Sequence, residues 1–306
     1  MYALPKEIRD WLTNVFRQAN EAASIELTRV PNAHEEHLDM TLISSLRRFA
    51  APFVFPSEWK VKIDTHFLGG EGGPWGRWEI ADIGLLVLFR RGGALLRTKV
   101  GLLQSKRLYP TELKSNDERD YIGFGRLFEK DDAFAASTRT RTFEFSGNSK
   151  YLALNVDGAQ YVRMRDYENT SDIPIYYLFY NPFQIPFAAH LPWRTDQEFD
   201  SDCRVGARVL PAFDFRENVV DSLETLTPRY SDVCSFKTGQ FAQSANKGGW
   251  RFEHFVVDQL LGCKTGYKSP GRKDSTLANL FGGRSAPIQA AISVNIDAPA
   301  GTPDAE

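Results

Sequence analysis

At 306 residues the chain is long enough to bury a substantial core. Its composition, 42% hydrophobic and 25% charged, is that of an ordinary soluble globular protein. A net charge of −2 leaves no global basic field to attract nucleic acid, though a local basic patch is compatible with it.

The N-terminal stretch MYALPKEIRDWL carries acids and a tryptophan where a signal peptide needs a basic start and an apolar run, which points to a cytoplasmic protein. Ile8, Trp11, Leu12, Val15 and Phe16 stand at helical spacing, predicting an amphipathic helix over 5–22. In VPNAHEEHLDMTLISSLRRFA, Asn32 is the expected N-cap and Glu35, three residues on, completes a capping box for a helix over 33–49. WKVKIDTHFL alternates as a half-exposed strand, and GGEGGPWGRW is a glycine-rich loop. The apolar runs IADIGLLVLF and ALLRTKVGLLQSK, separated by RRGG, predict a hairpin of two long strands. Residues 110–148 have no clear period and read as an insertion. YLALNVDGAQYVRMRDYEN reads as a helix weakened by Gly158, IPIYYLFYNP and CRVGARVLPAF as strands, and GWRFEHFVVDQLLGC as a helix. Residues 264–285 are loop-like and basic. Cys203, Cys234 and Cys263 lack metal or disulfide spacing and read as reduced thiols. No stretch approaches the ~18 consecutive apolar residues of a membrane span.

Gln104 and Lys106 are two residues apart on the second hairpin strand, so both side chains leave one face at the strand's end. Asp82 opens a partner strand otherwise uncharged until Arg90. A buried carboxylate must be paired or metal-bound to offset its desolvation. The helix before them offers Glu35, in the middle of the stripe formed by Leu38, Leu42, Leu46 and Phe49. Glu36 lies to the side and is the fallback.

Helix with Glu, strand, strand with Asp, strand ending in (D/E/Q)-x-K, helix, strand: in this order the residues resemble the PD-(D/E)XK nuclease superfamily, and Gln104-Ser105-Lys106 is similar to its glutamine variant. Gln160 on a helix, followed by IPIYYLFYNP, is similar to bacterial members of that group. The resemblance spans about residues 32–185. It departs from the pattern at Ala81, where a proline usually precedes the aspartate, at the amide of Gln104, and in the long insertion. It implies a restriction-endonuclease-like α/β core, α-β-β-β-α-β, with a mixed central sheet flanked by helices. The whole of 1–306 is then a single domain. An N-terminal helix region (1–31) precedes the core (32–215, with the insertion 110–148). A mostly helical or loop-like C-terminal extension (216–295) and a disordered tail (296–306) follow.

The resemblance also implies an endonuclease dependent on Mg²⁺ or Mn²⁺. Asp82, the Gln104 amide oxygen and Glu35 would be the metal ligands. Lys106 would orient water or stabilise charge on the phosphate. Nucleic acid, DNA ahead of RNA, is the expected partner and anti-phage defence the expected context, with restraint by a regulatory protein or by homo-oligomerisation. A second reading keeps the fold without the chemistry: a non-catalytic module with a degraded site. Arg139, Arg141, Lys268, Arg272 and Lys273 are the candidate phosphate contacts, against the alternative of a solvated charged face. His34 and His37 in HEEH lack metalloprotease spacing and read as capping or solvated residues.

Overall fold

The computed structural model describes residues 4–68, 80–113, 141–154, 158–191, 204–219, 227–236, 241, 246–269, 274–281 and 288–303. Helix α1 (Lys6–Arg29) forms because Ile8, Leu12, Val15, Phe16, Ala19, Ala23 and Leu27 recur every three or four residues, and all are buried. It outruns the expected 5–22 because the stripe continues through Ala23 and Leu27. It ends where Val30 leaves helical geometry ahead of Pro31. Helix α2 (Glu35–Leu46) buries Leu38, Leu42, Ile43 and Leu46 and tightens into a 3-10 turn, Arg47–Phe49. Its N-cap position is His34, not Asn32, and no side chain caps it. The expected capping box is absent because the helix begins at Glu35 itself, one residue after its N-cap position, and the Glu35 carboxylate instead accepts the backbone N–H of Arg107.

Strands β1 (Phe53–Val54) and β2 (Lys60–Phe67) lead to the predicted hairpin, β3 (Ala81–Arg91) and β4 (Ala94–Arg107). Its turn is Gly92-Gly93, with φ of 55° and 83°, a conformation glycine adopts without strain. The ends of the expected insertion form β5 (Thr111–Leu113) and β6 (Arg141–Phe145). Helix α3 (Ala159–Ser171) starts only after Gly158, which is extended at the N-cap, so it is shorter than its sequence suggests. Then come β7 (Ile175–Tyr180), β8 (Phe187–Leu191), β9 (Arg208–Pro211), α4 (Ala212–Val219) and α5 (Tyr230–Ser235). Strand β10 (Trp250–Arg251) enters α6 (Phe252–His254), which continues as a π-helical segment, Phe255–Leu261. Strand β11 (Tyr267–Lys268), helix α7 (Ser275–Phe281) and β12 (Ile288–Ala298) complete the described chain.

Among the described residues the central sheet has nine strands, in the order β1-β2-β12-β3-β4-β7-β9-β10, with β11 also on β4. It is mixed: β12–β3 and β4–β7 are parallel, whereas β2–β12, β3–β4 and β7–β9 are antiparallel. A second sheet, β5-β6-β8, stands apart from this path. Helix α2 lies against β2, β3 and β4, and α1 packs on α2 and α6. Phe281 of α7 and Ile288 crowd Gly84, where an added Cβ would come within 2.7 Å of Ile288 Cδ1. Gly84 pairs with Leu102 and so shares a face with Gln104, opposite that of Ser105.

The expected C-terminal organisation needs correction. The extension is not merely helices and loops appended to a finished core, because β10, β11 and β12 are all strands of the central sheet. Ile296–Ala298, expected in a disordered tail, end β12, where Ile296 pairs with both Val61 and Phe89. Ile288, Ala290, Ile292, Val294, Ile296 and Ala298 alternate along this strand and are all buried, which holds it in place. The stretch 264–285, expected to be loop-like, contains β11 and α7. No helix among the described residues is long and apolar enough to cross a membrane.

Candidate active site

The hairpin register fixes the site. The last ladder pair at this end is Ile83–Leu103, so the next residues outward, Asp82 and Gln104, face each other. Gln104 Nε2 donates to Asp82 Oδ2 at 2.5 Å, and the Ser105 backbone N–H donates to the same oxygen at 2.7 Å. Two residues along, the Lys106 Nζ lies 3.6 Å from Glu35 Oε2. Glu35 Oε1 accepts the Arg107 N–H at 3.0 Å, which ties the start of α2 to the end of β4. The structure therefore brings Asp82, Gln104, Lys106 and Glu35 to one strand end. Glu36 is exposed, so Glu35 is the helix acid directed at the site.

The cluster is short of positive charge. Burial pushes the Asp82 carboxyl well above the ordinary aspartate value, and the nearby Asp39 charge adds to this, while Lys106 and the Ser105 N–H pull it partly back. Burial also raises Glu35, against the opposing pull of Lys106. Asp39 is pushed up to about 7 by burial, offset in part by hydrogen bonds from Ser105 and Tyr180.

The donor set fits a hard divalent ion in one respect. Gln104 Oε1 is buried and has no hydrogen-bond partner among the described residues, leaving an acceptor beside Asp82 for a ligand. Among the described residues no three His, Cys, Asp or Glu side chains are grouped to hold a metal by themselves. A metal here would rely on Asp82 together with the Gln104 amide oxygen, with Glu35 completing the set directly or through water.

Asp39 escaped the reading of the sequence. It stands four residues after Glu35, hence on the same side of α2, and is only 6% exposed. The signal was that spacing, an acid one helical turn beyond another and next to Leu38. Of the candidate phosphate contacts, Arg141 is held by Glu112 through two bonds of 2.7 Å, so its charge is already met. Lys268 is exposed and pairs across the sheet with Lys99, about 23 Å along β4 from Lys106 at ~3.3 Å per residue. Arg139, Arg272 and Lys273 lie outside the described residues. His37 is bonded to Glu26 at 2.6 Å, and His34 sits at the N-cap of α2 without capping it. Among the described residues Cys234 and Cys263 form no disulfide. No protein-family model matches the chain, and neither does any curated protein or solved structure.

Proposed function

We propose that the chain is a metal-dependent nuclease of the restriction-endonuclease-like class, hydrolysing phosphodiester bonds and preferring DNA to RNA. The observation that carries this reading is the meeting of Asp82, Gln104, Lys106 and Glu35 at one end of the β3–β4 hairpin. With the two-residue β1 and the insertion strands β5 and β6 set aside, the chain order α2, β2, β3, β4, α3, β7 supports it, being the α-β-β-β-α-β order of that class. The strand β12 between β2 and β3 is then an addition of this protein.

When bound, Mg²⁺ or Mn²⁺ polarises the phosphate and acidifies an attacking water. Asp82 and the Gln104 oxygen would hold the ion, with Glu35 direct or through water. Lys106, buried and beside Glu35, places an ammonium where charge develops on the phosphate or where the nucleophile must be oriented. An amide in place of an acid leaves less negative charge for the ion, so metal affinity is lower than a three-carboxylate site would give. The biological context consistent with this reading is bacterial anti-phage defence in the cytoplasm, with restraint by a partner protein or by self-association.

One observation favours a second reading, a non-catalytic nucleic-acid- or partner-binding module. Asp82 Oδ2 already accepts two hydrogen bonds from the partner strand, from the Gln104 amide and the Ser105 N–H, which occupy an oxygen that a metal would use. Incubating the protein with supercoiled plasmid and with total RNA, each with Mg²⁺, with Mn²⁺ and with chelator, separates the two. Metal-dependent nicking, absent in Asp82→Ala, is the expected result. Retention of DNA with no cleavage under either metal would hand the site to the binding module.

A further inference from the structure

Ser105, between the two candidate catalytic side chains, is gripped from two sides. Its N–H donates to Asp82 Oδ2 at 2.7 Å, and its hydroxyl donates to Asp39 Oδ1 at 2.6 Å. The same Asp39 oxygen accepts the Tyr180 hydroxyl, also at 2.6 Å, from the neighbouring strand β7. Ser105 is fully buried and Tyr180 is 1% exposed, so these bonds do not compete with water. Asp39 Oδ2 has no hydrogen-bond partner among the described residues.

The cost of this arrangement argues for a purpose. Asp39 sits beside Leu38, Leu42 and Ile43 in the packed face of α2, where an aliphatic side chain would fill the space without burying a carboxyl. What the carboxyl supplies is an acceptor fixed to the helix, aimed at the middle residue of Gln104-Ser105-Lys106. Because strand side chains alternate, a hold on Ser105 from the α2 face sets the backbone that projects Gln104 and Lys106 from the other face.

We propose that Asp39 is a positioning residue of the active site, a latch from α2 that holds Ser105 and thereby places Gln104 and Lys106. Its effect on rate rests on the nuclease reading, whereas its effect on the Ser105 backbone does not. A displacement of about 1 Å in a catalytic group is enough to cost on the order of a hundredfold in rate.

The test compares the full-length protein with Asp39→Ala, Asp39→Asn and Ser105→Ala. Plasmid cleavage is followed with Mn²⁺, and amide hydrogen exchange is followed at Ser105 and at Val100 of the same strand. Asp39→Ala should lower kcat about ten- to a hundredfold with KM within about twofold. It should speed exchange at Ser105 at least about tenfold and leave Val100 unchanged. Asp39→Asn keeps an acceptor oxygen and should recover most of the rate. Ser105→Ala, which creates no large cavity, should match the loss in Asp39→Ala. A wild-type rate in Ser105→Ala, an equal loss in Asp39→Asn and Asp39→Ala, or equal acceleration of exchange at Val100 would each overturn the latch. If the wild-type protein cuts nothing with either metal, the nuclease reading falls and exchange at Ser105 decides alone. Faster exchange in Asp39→Ala then supports the latch, and unchanged exchange overturns it.

Discussion

Lys106 and Glu35 form a pair in which neither side chain is well solvated, the lysine side chain being 4% and the glutamate 18% exposed. Removing one partner of such a pair strands the other, so both are sensitive positions, but for different reasons. Under the proposed nuclease reading, Lys106 acts in the chemical step. Lys106→Ala should lower cleavage about a hundred- to a thousandfold, the scale for one lost charge-stabilising group, while Mn²⁺ binding largely survives. Asp82→Ala should lose metal and cleavage together. Rates measured beside metal titrations check both, and equal loss of metal in the two variants would remove Lys106 from the chemical step. Glu35→Gln should reduce cleavage, whereas Glu36→Gln, altering an exposed side chain, should match the parent within about twofold; a reversed order would exchange their roles. The preference for Glu35 was legible because a helical stripe drawn through Leu38 and Leu42 also passes through it. Asp39 was not, because a mid-helix aspartate, even between Leu38 and Met40, reads as solvent-facing until the strand it touches is known. Its partners Ser105 and Tyr180 lie 66 and 141 residues away.

Elements position these side chains through their ends. The start of α2 meets the end of β4 through Glu35 and Arg107, and the end of α3 meets the start of β7 through Glu168. Glu168 Oε2 accepts the Ile175 N–H at 3.1 Å, which secures the strand lying parallel to the Gln104–Lys106 segment. Burial raises this carboxyl from 4.5 to about 7, against the pull of that N–H. The folded state thus holds the Glu168 proton where the unfolded chain has released it. Stability from this group is full below the unfolded value and is lost as pH rises through about 7. Urea midpoints across pH 4.5–8 should fall more steeply for the parent than for Glu168→Gln, which keeps an acceptor and does not titrate. The variant should be the more stable of the two at pH 8, and parallel curves would refute the assignment. The β3–β4 hairpin was readable at this scale because two apolar runs flank a glycine turn. Strand parity then put Gln104 and Lys106 on one face. Helix α3 was overextended because Tyr151 and Leu154, three residues apart, mimic a helical period before Gly158 breaks it.

The whole molecule depends on its last strand. β2 and β3 do not touch in the sheet; β12 stands between them, pairing from Ala290 to Asp297 with β2 and from Ile288 to Ala298 with β3. No local pattern announces this, since the alternation of IQAAISVNIDA runs into a proline- and glycine-rich end, and its partners are some two hundred residues earlier. Periodicity identifies a strand but says nothing about which neighbours it takes. Burying Ile288, Ile292, Val294 and Ile296 contributes roughly 2 kcal/mol each. That total is comparable to the ~5–15 kcal/mol net stability of a typical protein. A chain ending at residue 287 therefore lacks both the bridge and a share of the core that the rest cannot replace, and it should show no cooperative melt and no cleavage. A chain ending at residue 303 keeps every strand of the described residues and should melt with the parent. Circular dichroism melting of the two truncations checks this. A cooperative transition in the shorter chain would mean that β2 can close directly on β3, making β12 a late addition to a core able to stand without it. Its absence would mean that the hairpin bearing Asp82, Gln104 and Lys106 reaches its final place only once the C-terminal strand has been inserted.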